Sequence, residues 1–411
     1  MTFASPDADA LQPVAHPKLG SIVLLGALTA FAAISIDLYL PSLPAIGRDF
    51  HASAAVVQHS MSAFFIGMAL GQLVYGPLSD RFGRRLPLLV GAAIYSVASL
   101  ACAVAPTIGW LVAGRFIQAL GACAGQVIAR AIVRDRYHHQ DTARIFSLLT
   151  LVLGVAPMIA PTVGGWLVAV ASWRAIFLIL AGFGLIIGGA VALRLTESRS
   201  LETAERARNE SVAGSYLALF GHRRLVGYLL AGALNGATLF AYIANAPDLL
   251  ITQFKFNSAQ FGLAFAVIAV GVIGSSQVNR WLLDRYEPDR ILGAASLAGV
   301  VAGLALVLVA LPDAGFGRWP ILVALFAAIT SFGFMAANST AGALGVDPSR
   351  AGATSALIGA ASFACGAVAA SIAGLFHDGT PMPVAIVMGV SLVGSAIALH
   401  GLALRREPVD P

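Results

Sequence analysis

Two charged side chains of this chain fall where charge is costly. Asp37 lies near the end of the first long apolar stretch, in a segment that leads through Tyr39 to Pro41 and Pro44. Arg115 lies inside the fourth, between Leu111 and Gly121. A charge at mid-bilayer costs at least ~2.5–3.5 kcal/mol on insertion scales, so a residue retained there is a functional candidate. Burial penalises the charged form of a carboxylate and suits such a group to loading and releasing protons. Asp37 is the one carboxylate placed well within an apolar helix, and proton loading is the chemistry it suggests. The alternative for Asp37 is a hydrated position at the membrane surface, capping a helix broken by Pro41. For Arg115 it is a structural tie to a neighbouring carbonyl or carboxylate. Arg130, later in the same stretch, is long enough to snorkel to the surface.

Uncharged polar residues also interrupt the apolar stretches: Gln118, Gln126, Asn235, Asn245 and Asn338. Each suits substrate binding or an interhelical hydrogen bond. Tyr39, Phe65, Tyr242 and Phe334 are candidate aromatic surfaces for a substrate, or lipid-facing and core residues. The eight histidines fall at termini, loops and the ends of stretches. No metal-ligand cluster and no serine–histidine pairing emerges, so neither a metal site, a cofactor nor an enzyme is expected.

Charge concentrates instead in residues 76–85, which carry Gly76, Pro77, Asp80, Arg81, Gly83, Arg84 and Arg85. Gly76, Pro77 and Gly83 permit a tight turn. Asp80 suits the positive end of a helix dipole or an arginine, and Arg84 and Arg85 suit carboxylates or lipid phosphates. Asp135, between Arg134 and Arg136, is the partner expected for a cluster that latches one conformation. The fifth stretch holds Gly154, Pro157, Pro161, Gly164 and Gly165. Its prolines sit four residues apart on one helical face and favour a kink, while its glycines admit a close neighbour.

The elements that must position these residues are transmembrane helices. The chain has 411 residues, 58% apolar and only 11% charged, with a mean hydropathy of +0.84. Soluble domains carry roughly 25% charged residues. Apolar runs of about 20 residues, the length that spans a bilayer, occupy 19–40, 57–77, 86–105, 110–133, 145–168, 174–193, 226–246, 260–279, 291–311, 319–341, 352–375 and 383–404. Lipid offers the backbone no partner, so each is expected to be a helix.

A fainter copy of the charged loop runs from Leu282 to Arg290, with Asp284 lying 204 residues after Asp80. That offset is about half the chain. It predicts two six-helix bundles, 1–193 and 225–411, joined by a cytoplasmic linker over 194–224 in which 211–220 forms an interfacial helix. Position 241, the counterpart of Asp37, is an alanine, so the halves are chemically unequal. Most arginines fall on one side of this topology, which predicts cytoplasmic termini and assigns the net charge of +5 to topology rather than to nucleic-acid binding. The first eighteen residues show no cleavable-signal pattern. Cys102, Cys123 and Cys365 lie inside predicted helices, so no disulfide framework is expected.

These motifs resemble the major facilitator superfamily over nearly the whole chain. Gly76–Arg85 resembles its signature loop between helices 2 and 3, Arg115–Gln118 with Gly121 its helix-4 motif associated with proton coupling, and Gly154–Gly165 its helix-5 antiporter motif. Ile36–Pro44, Ala129–Tyr137, Ser172–Arg174 and Ala351–Ser355 are similar to the bicyclomycin/chloramphenicol-resistance group of drug:proton antiporters. The resemblance implies an all-α integral membrane protein, with twelve transmembrane helices in two bundles around a central cavity worked by alternating access. It implies an inner-membrane exporter of a small drug-like substrate in exchange for protons, and nothing in the chain demands more than a monomer. Asp37 and Arg115 would couple to protons, and Tyr39, Gln118, Tyr242 and Asn338 would line the substrate path. A proton-coupled or passive transporter of a metabolite, such as an amino acid or sugar, is the alternative.

Overall fold

The computed structural model describes residues 19–137, 139–200, 203–205, 211–311 and 315–405. Among them no strand occurs, and twelve helices are long and apolar enough to cross a membrane. They are α1 (Leu19–Asp49), α2 (Ala54–Phe82), α3 (Arg85–Ala103), α4 (Ile108–Arg136), α5 (His139–Val170) and α6 (Trp173–Arg194), followed by α7 (Arg223–Gln253), α8 (Ser258–Leu283), α9 (Pro288–Ala310), α10 (Arg318–Val346), α11 (Pro348–Leu375) and α12 (Met382–Ala403). A linker helix, Val212–Phe220, lies between α6 and α7.

Each apolar stretch coincides with one helix, yet several helices outrun their stretches. α2 continues to Phe82 and α4 to Arg136. Hydropathy marks only the part that lipid covers, whereas backbone hydrogen bonding carries the helix on through its charged turns. Side-chain caps set several starts: Ser53 accepts from the Val56 amide, Thr107 from that of Trp110, Ser172 from that of Arg174, and Asn257 forms a reciprocal box with Gln260. Outward faces leave residues such as Val97, Leu185 and Val301 exposed, as contact with lipid requires.

The packing repeats with a shift of six helices. In the first half α1 packs on α5, α2 on α4, and α3 on α4 and α6; in the second α7 packs on α11, α8 on α10, and α9 on α10 and α12. Two long seams join the halves, α2 against α11 and α5 against α8. Across the first, Phe65 meets Phe363 at 6.3 Å between ring centres, and Gln58 donates to the Ala370 carbonyl at 3.2 Å.

At one end of the molecule α1 and α7 both lose regular geometry. α1 leaves the α-helix after Asp37, passes through a 3₁₀ turn at Leu40–Ser42 and resumes as Leu43–Asp49. α7 widens into a π-type turn over Pro247–Gln253. These two irregular ends pack on each other, whereas α4 and α10 do not form a packed pair.

Candidate functional site

Asp37 is the last residue of the regular part of α1 and is only 3% exposed. Its carboxylate makes no hydrogen bond or ion pair with any described residue, so it neither caps a helix nor stands in open solvent. Tyr242 of α7, from the other half, lies within its electrostatic range. The Tyr242 hydroxyl is buried, and it too lacks a hydrogen-bond partner among the described residues, as does the Thr238 hydroxyl one turn earlier. Buried polar groups left unpaired are expensive, and Tyr242 and Thr238 place two of them one turn apart on α7. Sequence reading missed Thr238, whose position one turn from Tyr242 was the available signal.

Arg115 does not pair with Asp37. Its guanidinium donates to the Ser35 carbonyl at 3.1 Å and to Gln118 Oε1 at 2.6 Å, and lies over the rings of Phe64 at 4.2 Å and Tyr39 at 4.4 Å. Aromatic faces replace a counter-ion, an arrangement favourable to a desolvated guanidinium. This network reaches the α1 backbone two residues before Asp37.

Three candidates for substrate contact turn out to be occupied within their own halves. Tyr39 exchanges a 2.7 Å hydrogen bond with Ser60 beneath Arg115; Gln118 donates to Ser99 at 2.7 Å; Asn338 donates to Asn279 at 2.7 Å. Interhelical pairing satisfies them, as polar groups in an apolar bundle must be satisfied. Of the four, Tyr242 alone keeps an unpaired hydroxyl among the described residues.

α5 runs unbroken through Pro157 and Pro161. Its glycines serve two neighbours. A Cβ on Gly164 would come within 2.2 Å of the Leu38 carbonyl oxygen, immediately after Asp37. A Cβ on Gly154 or Gly165 would meet Ile273 or Ser258 of α8 at 2.9 and 2.8 Å. α5 is therefore wedged between the helix carrying Asp37 and the opposite half.

The charged loop forms a cluster at the other end. Arg84 is buried and pairs with Asp80 and, at 2.8 Å, with Asp135 of α4; it also donates to Ser79 at 2.8 Å. Gly76 and Pro77, expected in the turn, lie inside α2, and the turn is made at Gly83 (φ +90°). Pro77 fits because the hydrogen bond it forfeits is replaced: the Leu73 carbonyl, four residues earlier, accepts from the Tyr216 hydroxyl of the linker helix at 3.0 Å. Arg199 donates to the Arg81 carbonyl at 2.6 Å, and Arg85 to the Ala192 carbonyl at 2.5 Å.

Glu197, which sequence reading missed, accepts from the backbone amides of Arg84 (2.9 Å), Arg85 (3.2 Å), Ser198 and Arg199 (both 3.0 Å). Partial burial works to raise its carboxyl, but these four donors prevail and hold it below the usual carboxylate range. A Cβ at position 83 would stand 2.5 Å from its Oε2, so both the backbone angle and the carboxylate call for glycine.

Twelve membrane-crossing helices in a six-helix repeat, with a buried acid between the halves, define a polytopic membrane transporter. Residues 25–374 match the model of the Major Facilitator Superfamily, and the chain belongs to that superfamily. It is 30% identical over 384 residues to a bicyclomycin resistance protein homolog of Haemophilus influenzae, covering 93% of this chain and 96% of that one. It is 30% identical to the multidrug resistance protein MdtL of Klebsiella pneumoniae (91% and 93% covered), and 31% identical to YdgK of Bacillus subtilis, an uncharacterized MFS-type transporter (96% and 98%). Solved structures with the same fold include the xylose transporter XylE from E. coli, in a partially occluded inward-open conformation (TM-score 0.70, 12% identity, 92% and 96% covered), and the nucleoside transporter NupG (TM-score 0.70, 15% identity, 93% and 98% covered). The chain is a multi-pass membrane transporter, not an enzyme.

Proposed function

We propose that the protein is a secondary active multidrug exporter of the inner membrane. It carries small amphiphilic compounds outward in exchange for protons by alternating access, working as a monomer with both termini cytoplasmic. The observation that carries this reading is Asp37, a buried carboxylate without a partner among the described residues, at the junction of α1 and α7. The multidrug- and bicyclomycin-resistance relatives supply the substrate class.

The packing of α1 on α7 closes the Asp37 end, while the arginine-rich end lacks a packed α4–α10 pair, as expected of a state that loads substrate from the cytoplasm. An unpaired carboxylate is buried far more cheaply neutral than charged, so closure at the Asp37 end selects its protonated form. Substrate entering from the cytoplasm competes with that proton, and opening outward rehydrates Asp37 and lets it reload. Arg115 acts by fixing Ser35 and Tyr39 on either side of Asp37. The arginine cluster acts as the conformational hinge, and α5 as the surface over which the halves rock. A proton moving inward releases about 2.3 kcal/mol per 100 mV, enough for roughly a fortyfold substrate gradient.

Proton flux in proteoliposomes containing a pH-sensitive dye tests the reading. A panel of drugs should trigger proton movement with wild type and none with Asp37→Asn. Drug movement indifferent to both the gradient and the substitution would instead make the protein a facilitator.

A further inference from the structure

Beyond the transport path, the second half carries a groove and a pocket that meet at one arginine. The groove, about 550 Å³, runs along α9 and α10 from Arg290 to Ala302 and is lined by Ala294, Ala298, Ala302 and Phe334. Small side chains leave this furrow while Leu297 and Val301 project beside it, both more than half exposed. At 1.5 Å per residue, Arg290 to Ala302 spans about 18 Å, close to the depth of one leaflet's hydrocarbon, half of ~30 Å. The pocket, about 610 Å³, gathers Arg223, Arg224, Arg290 and Arg405 around Asp289. Asp289 is already engaged, accepting from Arg224 at 2.8 Å and from the Tyr228 hydroxyl at 2.5 Å. Arg223 donates to the Gly401 carbonyl at 2.6 Å. Arg290 and Arg405 hold no ion pair among the described residues. Four guanidinium groups against one occupied carboxylate leave an excess of positive charge at the mouth of an acyl-sized furrow.

We infer that this is a binding site for one anionic phospholipid of the leaflet at the arginine-rich end. Its phosphate lies between Arg290 and Arg405, and one acyl chain lies along Ala294, Ala298 and Ala302. Charge supplies the preference for an anionic headgroup, and the groove distinguishes a lipid from a soluble phosphate.

Native mass spectrometry of the full chain in detergent, titrated with phosphatidylglycerol or phosphatidylcholine of identical acyl chains, tests the site. Wild type should bind one phosphatidylglycerol at least about tenfold more tightly than phosphatidylcholine. The double substitution Arg290→Gln with Arg405→Gln should abolish that preference, and Ala298→Trp should weaken both lipids by filling the furrow. Glycerol phosphate alone should not compete. Equal affinity of wild type for the two lipids, an unchanged preference in the arginine variant, or displacement by glycerol phosphate would each overturn the proposal. So would a dimer that Ala298→Trp converts to monomer, since the furrow would then seat a second copy. A readout without variants is amide exchange in nanodiscs: residues 288–302 should be slower in phosphatidylglycerol than in phosphatidylcholine, and identical rates would also overturn it.

Discussion

The fully buried Arg115 is balanced by geometry rather than by an acid. Its planar fork serves the Ser35 carbonyl and Gln118 while its faces stack on Tyr39 and Phe64, a combination an ammonium group cannot reproduce. Arg115→Lys should therefore destabilise the protein by about 1.5–3 kcal/mol, the range for hydrogen bonds to charged groups. It should also lower coupled transport with Asp37 intact. Unfolding midpoints and dye-reported proton flux measure the two effects, and a stable, fully coupled lysine variant would contradict this role. Asp37 and Arg115 were legible in the sequence because a charge in an apolar run is a local contrast. Their relation was not, because it depends on the face each presents. The same limit explains Tyr39, Gln118 and Asn338: polarity inside a span marks a group that needs a partner, without saying whether substrate or a neighbouring helix supplies it.

Among the elements, α5 was legible as unusual from its glycines and prolines, but the neighbours those glycines admit were not. Gly164 meets the Leu38 carbonyl and Gly154 meets Ile273 of the opposite half, at sequence separations no local pattern encodes. A side chain at Gly164 presses on backbone, which yields less readily than the Ile273 side chain opposite Gly154. Gly164→Ala should therefore be the more damaging of the two, costing about 1–3 kcal/mol as overpacking does, with Gly154→Ala nearer neutral. Thermal melts of the purified variants rank them. The charged cluster offers a second contrast. Asp135 has a side chain 15% exposed and Asp80 one 42% exposed, both paired with the buried Arg84. Asp135→Asn should destabilise more than Asp80→Asn, because solvent screens the exposed pair and leaves it worth less. Equal losses would mean the two carboxylates share the load.

At the scale of the whole molecule, hydropathy and the 204-residue echo of the charged loop carried most of the architecture. What they left out is how the linker is fastened to the first half. Glu197, Arg199 and Tyr216 sit in a polar connector, where such residues read as surface and topology. In the structure Glu197 and Arg199 hold the α2–α3 turn through backbone groups, and Tyr216 holds α2 at the Leu73 carbonyl that Pro77 leaves free. The linker is therefore tied to the cluster that α4 also joins, and the titration of Glu197 reports on that tie. Its carboxyl is held below its usual value of 4.5 by four amide donors. A group with a lowered native value adds stability that is complete above its unfolded value and is lost as pH falls through the native one. Wild type should thus lose an increment of thermal stability below about pH 4.5. Glu197→Gln, which keeps an amide oxygen but no charge, should be less stable than wild type at pH 7, and the gap should close as the solution is acidified. Melting temperatures of both proteins between pH 7 and pH 3, in the same detergent, decide the matter: converging curves place the charge of Glu197 in the tie, and parallel curves assign the tie to hydrogen-bond geometry alone.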